Sequence, residues 1–476
     1  MGNGSKNRQT LVMKFGGTSV GSVEAIDQVI EIVAQAHVEW SRLVLVTSAL
    51  SGVTNLLLDS ASSVVNRKLA DVYHAADSLR DRHYRIVDRF IHDSYRNGTL
   101  KQELERLIGE FVNLCQAISV LGESTPRAID AIGSLGERLS VRLLSGVLDV
   151  NGIPSQPIEA TRLIVTDAHF QSAHPDFLAT QEKSQQVIEP LLIQGVVPVI
   201  TGFIAATPEG ITTTLGRGGS DYSAAILGCV LPADEVWIWT DVDGVMSADP
   251  RLVPDAHTIP ELTYREISEL AYYGAKVVHP KTIRPIIDSA IGLRVCNTFH
   301  PAHPGTRLVP DQEKQTNGAI KAVTAIPRQS LITIEGRGML GVPGVAARAF
   351  GAVAATGTSV PLITQASSEQ SICFAVPGES TVRVVSALEA SFSSELASRD
   401  IDSIWAMEDV VIVTVVGAGM RHTPGIAGRI FGTLGQCGVN VIAIAQGSSE
   451  VSISLVVEGS EAERAVRGLH ELTNHP

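Results

Sequence analysis

The stretch LVMKFGGTSV, Leu11 to Val20, decides the fold. Leu11 to Phe15 reads as a short buried strand, Gly16 and Gly17 as a tight turn, and the spacing of Val23, Ile26, Val29, Ile30 and Val33 as one face of a helix. A strand that enters a helix through a glycine turn opens an α/β sheet, whose inner strands are apolar on both faces. The pattern recurs at LVLVTSAL, Leu43 to Leu50, which runs into a Ser-Gly turn and a second helix.

Further out, residues 68–121 carry Arg, Asp and Glu among spaced Leu, Ile and Val with few glycines, and predict a lobe of long amphipathic helices. Strands return at Gly195 to Ile204, with VVPVITGFI read as one buried strand, and at Glu235 to Trp239. A first domain spanning 1–318 follows. Beyond it the chain repeats: Gly336 to Glu369 aligns without a gap on Gly417 to Glu450, matching Gly338 to Gly419, Pro343 to Pro424, Phe350 to Phe431 and Gln365 to Gln446. This predicts two like α+β modules, 319–406 and 407–476, each with a proline near the first position of its helix. Gly336, Gly338 and Gly341 spell G-x-G-x-x-G, but no acidic residue follows until Glu369, too far for a dinucleotide ribose, and the match is rejected.

The whole chain has 476 residues, with 37 Lys+Arg against 50 Asp+Glu and a net charge of −13, which excludes a nucleic-acid binder of the basic-stripe kind. At 44% hydrophobic and 18% charged residues it carries enough apolar side chain to fold throughout. Cys115, Cys229, Cys296, Cys373 and Cys437 are scattered and form no C-x-x-C pair, as expected of reduced thiols. The first residues lack a signal peptide's apolar run, and no stretch reads as a membrane span; a cytoplasmic protein is expected.

No P-loop, protein-kinase, HExxH or GxSxG motif occurs, which leaves glycine and charge at strand ends to carry the chemistry. Lys14 precedes Gly16 and Gly17, whose N–H groups suit an anion at a helix start, although KFGG alone reads first as a surface lysine beside an ordinary tight turn. Gly216 to Asp221 offers N–H groups, a guanidinium and a carboxylate, while Asp221 alone is equally a helix cap. Trp239 to Gly244 ends another strand and leads to Asp249 and Arg251; alone it is a D-G turn. Glu137 beside Arg138 is equally a solvated helix face, and Thr54 a helix cap. Three such strand ends in one α/β domain lie where these folds bind ligands.

KFGGTSV (Lys14 to Val20), SALSGVTNLL (Ser48 to Leu57), LGERLS (Leu135 to Ser140), TLGRGGSDYSA (Thr214 to Ala224), WTDVDGV (Trp239 to Val245), DPR (Asp249 to Arg251) and GAKVVHP (Gly274 to Pro280), in this order, resemble the aspartate kinase family. The duplicated tail resembles that family's paired ACT regulatory modules. The resemblance implies an amino-acid kinase fold, a mostly parallel sheet sandwiched by helices, followed by two ACT modules. It implies transfer of the γ-phosphate of ATP to the β-carboxylate of L-aspartate, the first step toward lysine, threonine and methionine. Lys14 would stabilise the transferred phosphate and Asp221 would orient Lys14, with backbone donors from Gly16, Gly17, Gly218 and Gly219. Thr54, Glu137, Arg217 and Ser220 would hold aspartate, Arg217 on a carboxylate and Glu137 on the ammonium. Thr240, Asp241, Arg251, Lys276 and Val277 would contact the nucleotide. Met246 stands where many relatives have a Tyr, and its thioether replaces part of that packing. Mg²⁺ is implied as the phosphate-bound ion, with no protein ligands legible. A carboxylate substrate is already ionised at neutral pH, which accounts for the lack of a catalytic His or Cys.

Gln365 and Gln446 resemble the effector glutamines of threonine-sensitive plant enzymes in which aspartate kinase is joined to homoserine dehydrogenase. This implies an amino-acid effector, threonine first and lysine second, and a homodimer or larger assembly. The chain is expected to be monofunctional, without nucleic-acid or membrane partners. The competing readings are a glutamate-type amino-acid kinase, opposed by SGVTN, GERLS and the ACT tail, and a non-catalytic ACT sensor, opposed by Lys14, Arg217 and Asp221.

Overall fold

A computed structural model of the chain describes residues 9–65, 69–272, 278–310, 320–339, 342–365, 370–420, 423–447 and 451–473. These form two compact units. The first holds the described residues up to 245 with 260–264 and those of 276–310; the second holds 246–259 and the described residues of 265–275 and 311–476.

In the first unit the chain runs β1 (Thr10–Phe15), α1 (Val23–Glu39), β2 (Arg42–Thr47), α2 (Val53–Val65), α3 (Leu69–Phe90), α4 (Ser94–Leu121), α5 (Pro126–Val150), β3 (Ser155–Ile158), α6 (Phe177–Ile193), β4 (Val197–Thr201), β5 (Ile204–Ala206), β6 (Thr212–Thr214), α7 (Gly219–Val230), β7 (Glu235–Thr240) and β8 (Glu261–Thr263). After α8 (Tyr264–Tyr272), most of which groups with the second unit, come α9 (Pro280–Ser289), β9 (Gly292–Asn297) and β10 (Thr306–Val309). Eight strands form one sheet in the order β3-β4-β2-β1-β7-β9-β10-β8, parallel at every pairing except β9 with β10. All six residues of β1 are buried, because helices cover both faces of a central parallel strand. Ser22 caps α1 by accepting the Ala25 N–H, and Ile26, Val29 and Val33 turn inward. Helices α2 to α5 close around Val72, Leu79, Leu104, Leu107 and Phe111, each 0% exposed.

The expected single strand over Gly195 to Ile204 divides. After Thr201 the chain leaves the main sheet, Phe203 adopts φ 66°, and β5 pairs with β6 instead. Gly202 permits this close passage, since a Cβ there would lie 2.6 Å from Ser220 Cβ.

The second unit contains β11 (Ile320–Glu335), α10 (Val345–Ala355), β12 (Leu362–Gln365), β13 (Ser371–Pro377), α11 (Thr381–Ser391), α12 (Ser393–Ser398), β14 (Ser403–Gly417), α13 (Ile426–Gln436), β15 (Ala443–Ala445), β16 (Ser452–Glu458) and α14 (Ala462–His470). One antiparallel sheet runs β12-β13-β11-β14-β16-β15. The repeat is visible in its starts: Val345 and Ile426, Leu362 and Ala443, Ser371 and Ser452, and Thr381 and Ala462 begin corresponding elements, 81 residues apart. The two long strands are shared. β11 and β14 pair along their length, while β13 joins only Gln329–Glu335 of β11 and β16 only Val410–Val416 of β14, so the second repeat takes the first half of a strand that precedes the first repeat in sequence. The helices begin two residues after Pro343 and Pro424 rather than at them, because Gly344 and Gly425, at φ 92° and 90°, form left-handed N-caps. Gly336 and Gly338 serve packing: a Cβ on either would lie 2.4 or 2.6 Å from Asp400.

Residues 246–259, ahead of the expected boundary at 318, belong to this second core. Ala248 and Val253 pack with Val411, Val413 and Leu469, and the Val323 N–H donates to Ser247 O at 2.8 Å. Lys321 Nζ meets the buried Glu266 Oε2 at 2.8 Å.

Candidate functional site

Phe15 stands in register with Thr47 and with Trp239, which brings the carboxyl ends of β1, β2 and β7 to one edge of the sheet. The strand order turns back at β1, the place where open α/β sheets bind ligands. Gly16 and Gly17, Ser48 to Ser51, and Thr240 with Asp241 leave these ends. With the start of α2, one face of α5 and the Gly216–Asp221 loop they line a cleft of about 740 Å³ within the first unit.

Lys14, 8% exposed, projects from β1 and meets Asp221 Oδ1 at 2.6 Å. Asp221 sits in the first turn of α7, whose N-cap Gly218 has φ 72° and no side-chain cap, so the helix presents open N–H donors and its positive end. Only glycine fits there, because a Cβ would lie 2.5 Å from His279 Cβ. Two of the four expected backbone donors are already committed. The Gly16 N–H donates to Trp239 O at 3.1 Å and the Gly219 N–H to Gly216 O at 2.9 Å, the first closing the sheet edge and the second the turn before α7. The Gly17 and Gly218 N–H groups have no backbone acceptor among the described residues.

Glu137 is 3% exposed and is no solvated helix face. Its Oε1 accepts the Ala49 N–H at 3.2 Å, while Oε2 is buried with no hydrogen-bond partner among the described residues. Burial pushes this carboxyl up to about 8, against the pull of nearby Lys14. Arg138 turns elsewhere, to Glu110 at 2.7 Å and Glu159 at 3.1 Å. Thr54, in the first turn of α2, and Arg217 and Ser220 complete the expected residues that line the cleft.

Asp130, Gln171 and Phe203 line it as well and were not anticipated. The signal for Asp130 lay in spacing: Asp130, Gly133 and Glu137 recur at i, i+3 and i+7 and share one face of α5. Gln171 and Phe203 carry side chains at φ 68° and 66°, a rare conformation that no local pattern announces.

Met246 and Arg251 belong to the second unit and are not among the residues lining the cleft. Met246 Sδ accepts from Thr258 Oγ1 at 3.6 Å, and Arg251 pairs with Asp249 at 2.6 Å. Lys276 and Val277 lie outside the described residues. Gln365, at the end of β12, lines a cavity of about 320 Å³ with Met339, Val342 to Ala346 and Ile372 in the second unit. Gln446 follows β15, is exposed, and does not line that cavity. Among the described residues no cluster of three or more His, Cys, Asp or Glu could hold a metal, and no helix is long and apolar enough to cross a membrane.

The amino acid kinase family model matches residues 9–297, and an ACT domain model matches 332–392 and 413–472. The bifunctional aspartokinase/homoserine dehydrogenase 1, chloroplastic, of Zea mays is 37% identical over 96% of this chain and 50% of its own. The chain spans about half the length of the first such relatives it matches. The aspartokinase of Schizosaccharomyces pombe is 30% identical over 97% of this chain and 92% of its own. The crystal structure of E. coli aspartokinase III in complex with aspartate and ADP superposes with a TM-score of 0.81 at 30% identity, covering 98% of this chain and 100% of that one.

Proposed function

The chain belongs to the amino acid kinase family, and from that premise we propose that it is an aspartate kinase, transferring the γ-phosphate of ATP to the β-carboxylate of L-aspartate. Glu137 carries the reading. A buried carboxylate with one oxygen unsatisfied calls for a cation, and the α-ammonium of an amino acid supplies it. Arg217, exposed in the same cleft, suits the substrate's carboxylates by bidentate pairing, with Thr54 and Ser220 beside it.

The reacting carboxylate is ionised and needs no base. One of its oxygens bonds to the γ-phosphorus as the bond to the leaving ADP oxygen breaks, and the added charge spreads over the transferring group. Lys14, held by Asp221, faces that charge, and the open N–H groups at Gly17 and at the start of α7 face the phosphates. Thr240 and Asp241 form the nucleotide end of the cleft. The nucleotide roles of Met246, Arg251, Lys276 and Val277 rest on the resemblance of their motifs. Mg²⁺, when bound to the phosphates, would neutralise them further; with no carboxylate cluster among the described residues, most of its ligands would be phosphate and water.

E. coli aspartokinase III has been crystallised with aspartate and ADP and also with lysine, which supports both the substrates and an amino-acid effector for this chain. We place the effector in the cavity lined by Gln365, with threonine ahead of lysine, on a cytoplasmic homodimer or larger assembly. Aspartyl hydroxamate formation from Mg-ATP, L-aspartate and hydroxylamine tests the reading. Product with aspartate and none with glutamate supports it; a folded, nucleotide-binding protein that forms product only with glutamate, or none at all, rejects it.

A further inference from the structure

We propose that Asp130 is a positioning residue for the amino-acid substrate, pinning from α5 the two loops that carry Gln171 and Arg217. The inference rests on the aspartate kinase reading. Asp130 is 2% exposed, and both of its oxygens are used across long sequence distances. Its Oδ2 accepts the Gln171 N–H at 2.9 Å and the Thr214 N–H at 3.0 Å, and its Oδ1 accepts the Thr214 hydroxyl at 2.8 Å.

These bonds reach the binding groups in short steps. Thr214 ends β6 three residues before Arg217, and its carbonyl accepts the Ala173 N–H at 2.9 Å, so one carboxylate and one backbone bond tie the two loops together. Gln171 stands at φ 68°, which a residue with a side chain rarely adopts, and Gly216 at φ 77° packs against it: a Cβ on Gly216 would lie 2.9 Å from Gln171 O. The Asp130 carboxylate holds the Gln171 amide at that point. Burial pushes the Asp130 carboxyl above its usual value and the three donors pull it back, so the carboxylate is kept in a dry place by the loops it organises. Because Asp130 and Glu137 share one face of α5, the helix that presents the ammonium site also sets the loop that presents Arg217.

The test compares full-length wild type with Asp130→Ala, Asp130→Asn and Thr214→Val. Asp130→Ala is expected to raise the aspartate KM about 10-fold or more through misplaced binding groups, while the ADP dissociation constant moves less than about twofold. Asp130→Asn keeps an acceptor for both N–H groups and an amide for the Thr214 oxygen, and is expected to recover most of the loss. An unchanged aspartate KM in Asp130→Ala, or an equal weakening of aspartate and ADP, overturns the proposal. If Asp130→Ala does not fold, Thr214→Val decides, with a several-fold rise in aspartate KM expected and no change overturning it. Amide hydrogen exchange separates this failure from that of the function. Faster exchange at Gln171 and Thr214 in Asp130→Ala supports the pinning even if the wild type turns over no aspartate, and unaltered exchange there removes it.

Discussion

Lys14 Nζ lies 2.6 Å from Asp221 Oδ1, joining the end of the central strand to the first turn of α7. With side chains 10% and 14% exposed, the two charges hold one another in place before a ligand arrives. Lys14→Met is expected to lower aspartate-dependent turnover on the order of 10²- to 10³-fold, the usual effect of deleting one group that stabilises transition-state charge. It should also lower the melting temperature, because the half-buried Asp221 is left without its cation. Hydroxamate rates, an ADP titration and a thermal melt check this; unchanged turnover in the folded variant removes Lys14 from the mechanism.

Glu137 gives the site a pH signature. Burial raises its carboxyl to about 8, so below that pH the empty site holds a proton there, whereas a bound ammonium favours the carboxylate. Aspartate binding near pH 7 should release nearly one proton, and affinity should rise about tenfold per pH unit until pH 8 and then level off. The empty protein binds more protons at this group than the unfolded chain does, so its contribution to stability falls as pH rises from about 4.5 to 8. Titration calorimetry in buffers of different ionisation enthalpy measures the release. Glu137→Gln should abolish it, and a wild type that releases no proton refutes the ammonium role.

Much of this cleft is written in short motifs, because the groups proposed to meet the phosphates sit beside the strand ends that deliver them: Lys14, Thr240 and Asp241 each occupy or adjoin the end of a buried strand. What stays hidden depends on register and on distant packing. The Gly16 N–H is spent on Trp239 O only because β1 lies beside β7, and Asp130 matters only because α5 turns it toward a strand 84 residues away. The repeat announces its own period, but the sharing of strands between repeats does not, since β11 and β14 read as single runs although β13 takes only one half of β11 and β16 only one half of β14. The association of Met246–Ile259 with the second core is of the same kind, resting on Ala248 and Val253 meeting residues more than 150 positions later.

A second titration opposes the first. His83 lies on α3 at 0% exposure; its Nδ1–H donates to Leu79 O at 2.7 Å, and Nε2 has no hydrogen-bond partner among the described residues. Burial lowers its pKa to about 4 from the ordinary 6.5, so between those values the unfolded chain binds the extra proton and stability falls as pH falls. The expected loss reaches about 3 kcal/mol by pH 4. His83→Leu should flatten that limb of the stability curve, read from chemical denaturation at pH 4, 5, 6 and 7. Equal pH dependence in both proteins would mean that His83 takes up its proton at the same pH in the folded and the unfolded chain.

Of the two glutamines proposed to meet the effector, Gln365 lines the described cavity and Gln446 does not, and this predicts an asymmetry in regulation. Gln365 lines a cavity of about 320 Å³ whose wall includes Gly344, the left-handed N-cap of α10, so an amide and open helix-start donors face the same space. An amino acid placed there can accept from those N–H groups through its carboxylate and meet the Gln365 amide through either end. Gln446 holds the matching position after β15 but is exposed and lines no part of that cavity. Gln365→Ala is therefore expected to raise the half-inhibitory threonine concentration about 10-fold, one to two lost hydrogen bonds' worth, with aspartate turnover unaffected. Gln446→Ala should shift it less. Inhibition curves with threonine and with lysine check both variants: a larger shift in Gln446→Ala would move the effector to the second repeat, and a shift confined to lysine would exchange the effector while keeping the cavity.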